Sequence, residues 1–409
     1  MTDSSSTIPP TMHALQVTHY GPAEESLKYV EIKTPAIRNP TDILVKVKAA
    51  GVNAADTKYH SGNVSNMLFN ALFKSPQAII GGDYSGIVVA KGSAVKDFDI
   101  GDEVYGSLEM PVGLEYGSYA EYLVATLGKG AIMKKPSNMS FEEAAAVGVA
   151  TITAYQGIVV LGNLPNSGEK KILVIGASGG VGTYAVQIGK AIGVKVVAIC
   201  SDKNAKLVSS LDADRVVAYN LQQDMEELKK ELGTYDLIFD CIGGDGYYNH
   251  FVGLLKKGSV YSTAVGPQSH LGSEKIGVLD TTKVAFTVMG RMIAGSRPYR
   301  MAAVHVPWHR FADEIHPLLA NGSIKSVLRE DQIFDLKDGA KAHLKSSFIE
   351  RWERLSFVSN CSFEVHPYYI FSPILSIILL RMYIYCMQIA LLINNTFNSH
   401  GVIVSMLTL

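Results

Sequence analysis

KILVIGASGGVGTYAVQIGKAIG, residues 171–193, decides how this chain is read. Residues 171–175 form an apolar run of strand length, and residues 183–192 repeat apolar side chains at helical spacing. Between them lie four glycines with separate tasks. Gly176 permits a tight exit from the strand, Gly179 or Gly180 lets backbone approach a pyrophosphate, and Gly182 lets the helix pack on the sheet. The helix N-terminus then offers unpaired N–H groups and partial positive charge. A glycine pattern alone is weak evidence. Here a strand precedes it, a helix follows, and a second strand, KVVAIC at 195–200, comes next. The turn is read as a dinucleotide site, with Gly176, Ser178, Gly179, Gly180, Val181 and Gly182 as its candidate residues.

The end of the second strand bears on which nucleotide binds. Asp202 lies about 20 residues past the glycines, the spacing of an acid that holds a ribose 2′-hydroxyl, and this keeps NADH open. Lys203, with Ser201 as hydroxyl donor, suits a 2′-phosphate instead. Tyr219 and Lys206 are further candidates, Lys206 reading better as a solvated helix residue. The balance favours NADPH over NADH.

Outward from this segment, strands and helices alternate through residues 144–300, the rhythm of βαβ units and a parallel sheet. DCIGG (240–244) and TAVG (263–266) each close a strand, where open α/β sheets bind ligands; Cys241, Gly243, Ala264 and Val265 join the cofactor candidates. Cys241 reads as a small packing residue rather than a nucleophile. Residues 12–143 hold short strands separated by turn residues, among them DILVKVKAAGV and SGIVVAKG. Residues 301–347 return to a mixed pattern: a helix in HRFADEIHPLLANG, a strand at IKSVL and a helix in LKDGAKAHLKSS. Residues 1–11 read as a disordered arm with no signal or transit character.

Composition narrows the function. The 409 residues carry 37 basic and 38 acidic side chains, a net charge of −1, which argues against a nucleic-acid partner. At 47% hydrophobic the chain is too apolar for disorder. The four cysteines form no disulfide or metal-ligand spacing, so a reducing, cytoplasmic setting is expected. From residue 348 the texture changes: the last lysine is Lys345 and Gly401 is the only later glycine. That tail fits an altered gene end better than folded sequence. Residues 368–393 have the length to span a bilayer, but Arg381 near the middle disfavours it, so membrane contact is expected only if the tail is real.

GGDYSGIVVAKGSAVKDFDIGDEVYG (81–106), followed in order by EEAAAVGVATITAY, the glycine turn, LDADRVVAYN and YDLIFDCIGG, resembles the medium-chain dehydrogenase/reductase superfamily. Within it the chain is similar to the quinone oxidoreductase-like branch. The resemblance implies an α/β fold: a Rossmann doubly wound parallel-sheet domain plus a discontinuous, mostly-β GroES-like domain. It implies hydride transfer from NADPH to a small electrophile, either a quinone or the C=C bond of an α,β-unsaturated carbonyl. An NADPH-binding scaffold with little catalysis is the alternative. Dimers are common among relatives, so a homodimer is open.

Zinc-dependent relatives place a cysteine and a His-Glu pair where this chain has Asn53 and Gly82-Asp83. Neither an amide nor a glycine replaces thiolate or imidazole as a ligand, so no zinc is expected. By the resemblance, residues 53–59 face the nicotinamide cleft. Asn53 is the candidate contact to cofactor ribose or substrate carbonyl, and Lys58 or Tyr59 the candidate proton donor. Asp56 reads as a turn cap. Thr151, in ATITAY, is the expected contact beneath the ring. Asp212 replaces the glycine of the usual Leu-Gly-Ala-Asp, at a cost of about 1 kcal/mol if the backbone there is left-handed. After AHLKSS the chain also departs from the turn and final strand that close the GroES-like domain.

Overall fold

The computed structural model describes residues 8–62, 77–108, 117–164, 169–267, 278–294, 298–302 and 310–352. The first seven residues of the expected arm, the loop at 63–76 and the tail from 353 onward lie outside them.

Residues of the first half build two antiparallel sheets. Strands β1 (Thr11–Val17), β2 (Leu27–Lys33), β3 (Asp42–Ala50), β4 (Ala78–Ile79), β5 (Asp83–Lys91), β6 (Glu103–Ser107), β7 (Tyr122–Thr126) and β8 (Ala131–Lys134) follow in chain order. One sheet runs β2-β1-β4 and the other β7-β3-β5-β6-β8. A bridge between Ala14 and Ala120 joins them.

The second half gives β9 (Lys171–Ile175), β10 (Lys195–Cys200), β11 (Arg215–Ala218), β12 (Tyr235–Asp240), β13 (Leu255–Thr263) and β14 (Tyr299–Met301). They form one parallel sheet ordered β11-β10-β9-β12-β13-β14. After Lys171 the central strand is wholly apolar because helices cover both faces; Ile172, Leu173, Val174 and Ile175 are all essentially inaccessible. From β9 the chain steps outward through β10 and β11, then crosses back to β12 on the other side of β9. That reversal opens a crevice beyond the C-terminal ends of β9 and β12, where such sheets take their ligands. The fold is thus the doubly wound α/β domain with a GroES-like β domain, as the sequence implies.

Residues 310–324 close the molecule from the far end of the chain. Phe311, Ile315 and Leu319 share one buried cluster with Tyr105 and Met139 of the first half and with Tyr184 and Phe239 of the second. One local expectation is refined and another corrected. The helix expected in HRFADEIHPLLANG is a π-turn, Phe311–Ile315, running into the short helix His316–Ala320. IKSVL is no strand: Lys325 satisfies both its N–H and its C=O on the side chain of Gln187, at 2.8 and 3.0 Å, so a side-chain amide takes the place of a neighbouring strand.

Candidate functional site

The glycine turn follows β9 directly. Gly176 has φ of 78°, and a Cβ there would lie 2.7 Å from Ile242. A Cβ on Gly182 would fall 2.1 Å from the Gly176 carbonyl oxygen, so only glycine lets the Gly180–Ala191 helix start this close to the strand. Gly179 caps that helix with extended backbone, and space beside Gly180 is open. The N–H groups of Gly180, Val181 and Gly182 therefore have no helical acceptor and face the crevice end of the sheet. This is the geometry a diphosphate requires.

Neighbouring strand ends meet the same opening. Ser178 accepts a hydrogen bond from Asn204 Nδ2 at 3.1 Å, tying the turn to the one after β10. Ser201 follows β10 almost fully buried, and its hydroxyl oxygen has no partner, an orphaned polar atom at that strand end. Lys203 is exposed beside it and Tyr219 ends β11 half-buried. Asp202 is engaged: its Oδ1 accepts from Asn220 Nδ2 at 2.9 Å and from the Lys203 N–H at 2.7 Å.

Across the switch point, buried Asp240 shapes the turn after β12. Its Oδ1 accepts the Ile242 and Gly243 N–H groups, both at 2.9 Å, and its Oδ2 accepts the Tyr261 hydroxyl at 2.9 Å. Burial still raises its carboxyl above the usual range. Burial, with Asp240 adjacent, pushes the Cys241 thiol well up, which suits packing rather than nucleophilic attack. After β13, Thr263 Oγ1 accepts the N–H groups of Val265 and Gly266, fixing the Ala264–Val265 turn beside Gly243.

Asn53 precedes the Ala54–His60 helix and anchors a buried acid network. Its Nδ2 donates to Asp83 Oδ2 at 2.9 Å and its backbone N–H to Asp56 Oδ2 at 2.8 Å. Asp83 also accepts the Val149 N–H at 2.9 Å, and Asp56 accepts the Tyr119 hydroxyl at 2.9 Å. Burial without a cation drives Asp56 up to about 7, with help from the nearby Asp83, and Asp83 up to about 6. Thr151 sits fully buried in the Gly148–Tyr155 helix. The same helix ends at Tyr155, whose hydroxyl donates to Glu314. Lys58 is half-buried; Tyr59 is 9% exposed, with its ring edge-on to Tyr20 at 6.3 Å and its phenol pushed up by burial.

The structure thus gathers the turn residues with Ser201, Cys241, Gly243, Ala264 and Val265 at one end of the parallel sheet. Asn53, Lys58 and Tyr59 lie on or before one short helix of the β domain. Sequence reading missed Tyr119, Val149, Asn204 and Asn220, whose roles arise only where distant segments meet. The buried acid in GGDYSG was the one available signal for the Asn53 network. Among the described residues, no three His, Cys, Asp or Glu side chains cluster as a metal site would, and no helix is long and apolar enough to cross a membrane.

The parallel sheet with its glycine turn, joined to an antiparallel β domain, marks a nucleotide-binding dehydrogenase type of protein. Comparison gives the family. The alcohol dehydrogenase GroES-like domain matches residues 39–137, and the zinc-binding dehydrogenase domain residues 180–305. Mouse mitochondrial NAD(P)H oxidoreductase RTN4IP1 is 31% identical, covering 84% of this chain and 87% of that protein. The chloroplastic quinone-oxidoreductase homolog of Spinacia oleracea is 35% identical over 63% of this chain and 76% of its own. The solved structure of Escherichia coli quinone oxidoreductase complexed with NADPH has a TM-score of 0.64 at 24% identity, over 83% of this chain and 96% of that one. The chain belongs to the medium-chain dehydrogenase/reductase superfamily, in its quinone oxidoreductase-like branch.

Proposed function

We propose that this protein is a zinc-free oxidoreductase that passes hydride from NADPH to a quinone or to the β-carbon of an α,β-unsaturated carbonyl. The observation that carries the proposal is the hydrogen bond from Asn53 Nδ2 to Asp83 Oδ2. It ties the position where zinc-dependent relatives keep their cysteine to the residue after Gly82, which stands in place of their histidine, with an amide nitrogen that has no lone pair for a metal. NADPH, when bound, would supply the hydride, and the acceptor's charge would delocalise onto its carbonyl oxygen.

The chain's own residues then have positional work. The N–H groups at 180–182 would hold the diphosphate. Ser201, Lys203 and Tyr219 would take the 2′-phosphate, and the turns at 241–243 and 264–265 would receive the nicotinamide end. Asn53 keeps one amide hydrogen beyond its bond to Asp83, and we assign it to the nicotinamide ribose or the substrate carbonyl. Lys58, or the protonated phenol of Tyr59, is assigned the proton that quenches the enolate. The compartment stays with the cytoplasmic reading, although the relatives above are named mitochondrial and chloroplastic.

The test is consumption of NADPH with p-benzoquinone and with a simple enal, in the presence of a strong chelator. Turnover that resists chelation is expected. Turnover abolished by chelator and restored by zinc overturns the metal-free reading. Tight NADPH binding with neither acceptor reduced favours the scaffold alternative.

A further inference from the structure

The turn after β10 is stitched to its neighbours from both sides, and one of the stitches has a consequence for cofactor choice. On one side Asn204 holds Ser178 of the glycine turn at 3.1 Å. On the other, Asn220, just past β11, makes a reciprocal exchange with Asp202. The Asp202 N–H donates to Asn220 Oδ1 at 3.0 Å, and Asn220 Nδ2 returns a hydrogen bond to Asp202 Oδ1 at 2.9 Å. The Lys203 N–H adds a second donor to the same oxygen at 2.7 Å. Asp202 is the acid at ribose-binding spacing. An acid there accepts hydrogen bonds from a 2′-hydroxyl and repels a 2′-phosphate. Here its charge is drawn toward β11 and partly satisfied by two donors before any ligand arrives.

We propose that Asn220 is a positioning residue that sets nucleotide specificity: by latching Asp202 it removes the acid's preference for an unphosphorylated ribose and leaves the site to Ser201, Lys203 and Tyr219. This rests on the NADPH reading above and adds to it a residue that acts through another. An amide suits the task because it offers donor and acceptor at once, matching both the carboxylate and the backbone N–H of Asp202. Neither an alanine nor an aspartate at 220 does both. With the latch gone, the carboxylate turns to the ribose end, where it competes with a 2′-phosphate for the same donors and repels it.

Dissociation constants for NADPH and NADH, measured by calorimetry without any acceptor, give the readout. Asn220→Ala lowers the preference for NADPH over NADH by about tenfold, through weaker NADPH and tighter NADH binding. In an Asp202→Asn background the same substitution changes the preference by less than about twofold, because no carboxylate remains to be released. A merely structural role would weaken both nucleotides equally and leave the ratio where it was. An unchanged ratio in Asn220→Ala, or an equal change in both backgrounds, overturns the latch. A wild-type protein that binds NADH as tightly as NADPH overturns the NADPH reading itself, and the latch with it.

Discussion

Asp212 holds a left-handed backbone, φ 67°, at a helix exit where a Cβ is unwelcome. Its side chain is 89% exposed and lies 4.0 Å from Lys190, an ion pair that solvent screens to little. Replacement by glycine therefore relieves strain at almost no loss of contact. Asp212→Gly is expected to raise the unfolding free energy by up to about 1 kcal/mol, read from urea titration. Asp56 makes the opposite kind of point. Its folded-state carboxyl titrates near 7 against 3.8 ordinarily, so its stability contribution is full below about pH 4 and is lost as pH rises through 7. Asp56→Asn keeps an oxygen for the Asn53 N–H and the Tyr119 hydroxyl. It should be more stable than the native chain at pH 8, with a difference that shrinks steadily as pH falls and is nearly gone by about pH 4. Asp212 was legible in the sequence because it stands where a glycine is usual. The Asn53–Asp83 bond was not, since its partners are 30 positions apart and both look like ordinary polar residues.

Among the elements, the helix Gly339–Trp352 is docked through histidines. His343 and His60 are both buried, with their rings edge to face at 4.9 Å; Tyr119 stands 5.6 Å from His343. Thr57 Oγ1 meets His343 Nδ1 at 3.3 Å, while His60 Nδ1 bonds the Gly21 carbonyl at 3.1 Å. Burial, reinforced by His60, drives His343 down to about 3, and burial lowers His60 as well. Both rings are neutral in the fold. Below about pH 6.5 the unfolded chain takes up protons that the folded chain refuses, so this contribution falls continuously toward pH 3. His343→Gln is expected to show a shallower loss of urea midpoint between pH 7 and pH 4 than the native chain. Elements with strong apolar period, such as β9 and the helix after it, were readable directly. The IKSVL segment was not, because its apolar pattern fits a strand while the Gln187 amide takes the hydrogen bonds a neighbouring strand would make.

At the scale of the molecule, one buried cluster draws on three separate stretches of chain, with Phe311 2% exposed among Tyr105, Tyr184 and Phe239. Phe311→Ala should cost about 3–5 kcal/mol, and near-ultraviolet and fluorescence probes of the two sheets should still unfold together. Two transitions in that variant would mean that the sheets are energetically independent. The doubly wound order was visible from the alternation of strand and helix, but no local pattern reveals that residues 310–324 complete a core begun two hundred positions earlier. This arrangement bears on synthesis. Tyr105 and Met139 leave the ribosome about 210 and 170 residues ahead of Phe311. At roughly 5–20 residues per second the nascent first half waits on the order of ten seconds or more with its apolar flank uncovered. Chaperone demand during translation, more than the equilibrium stability of the finished chain, should set how much of this protein a cell accumulates.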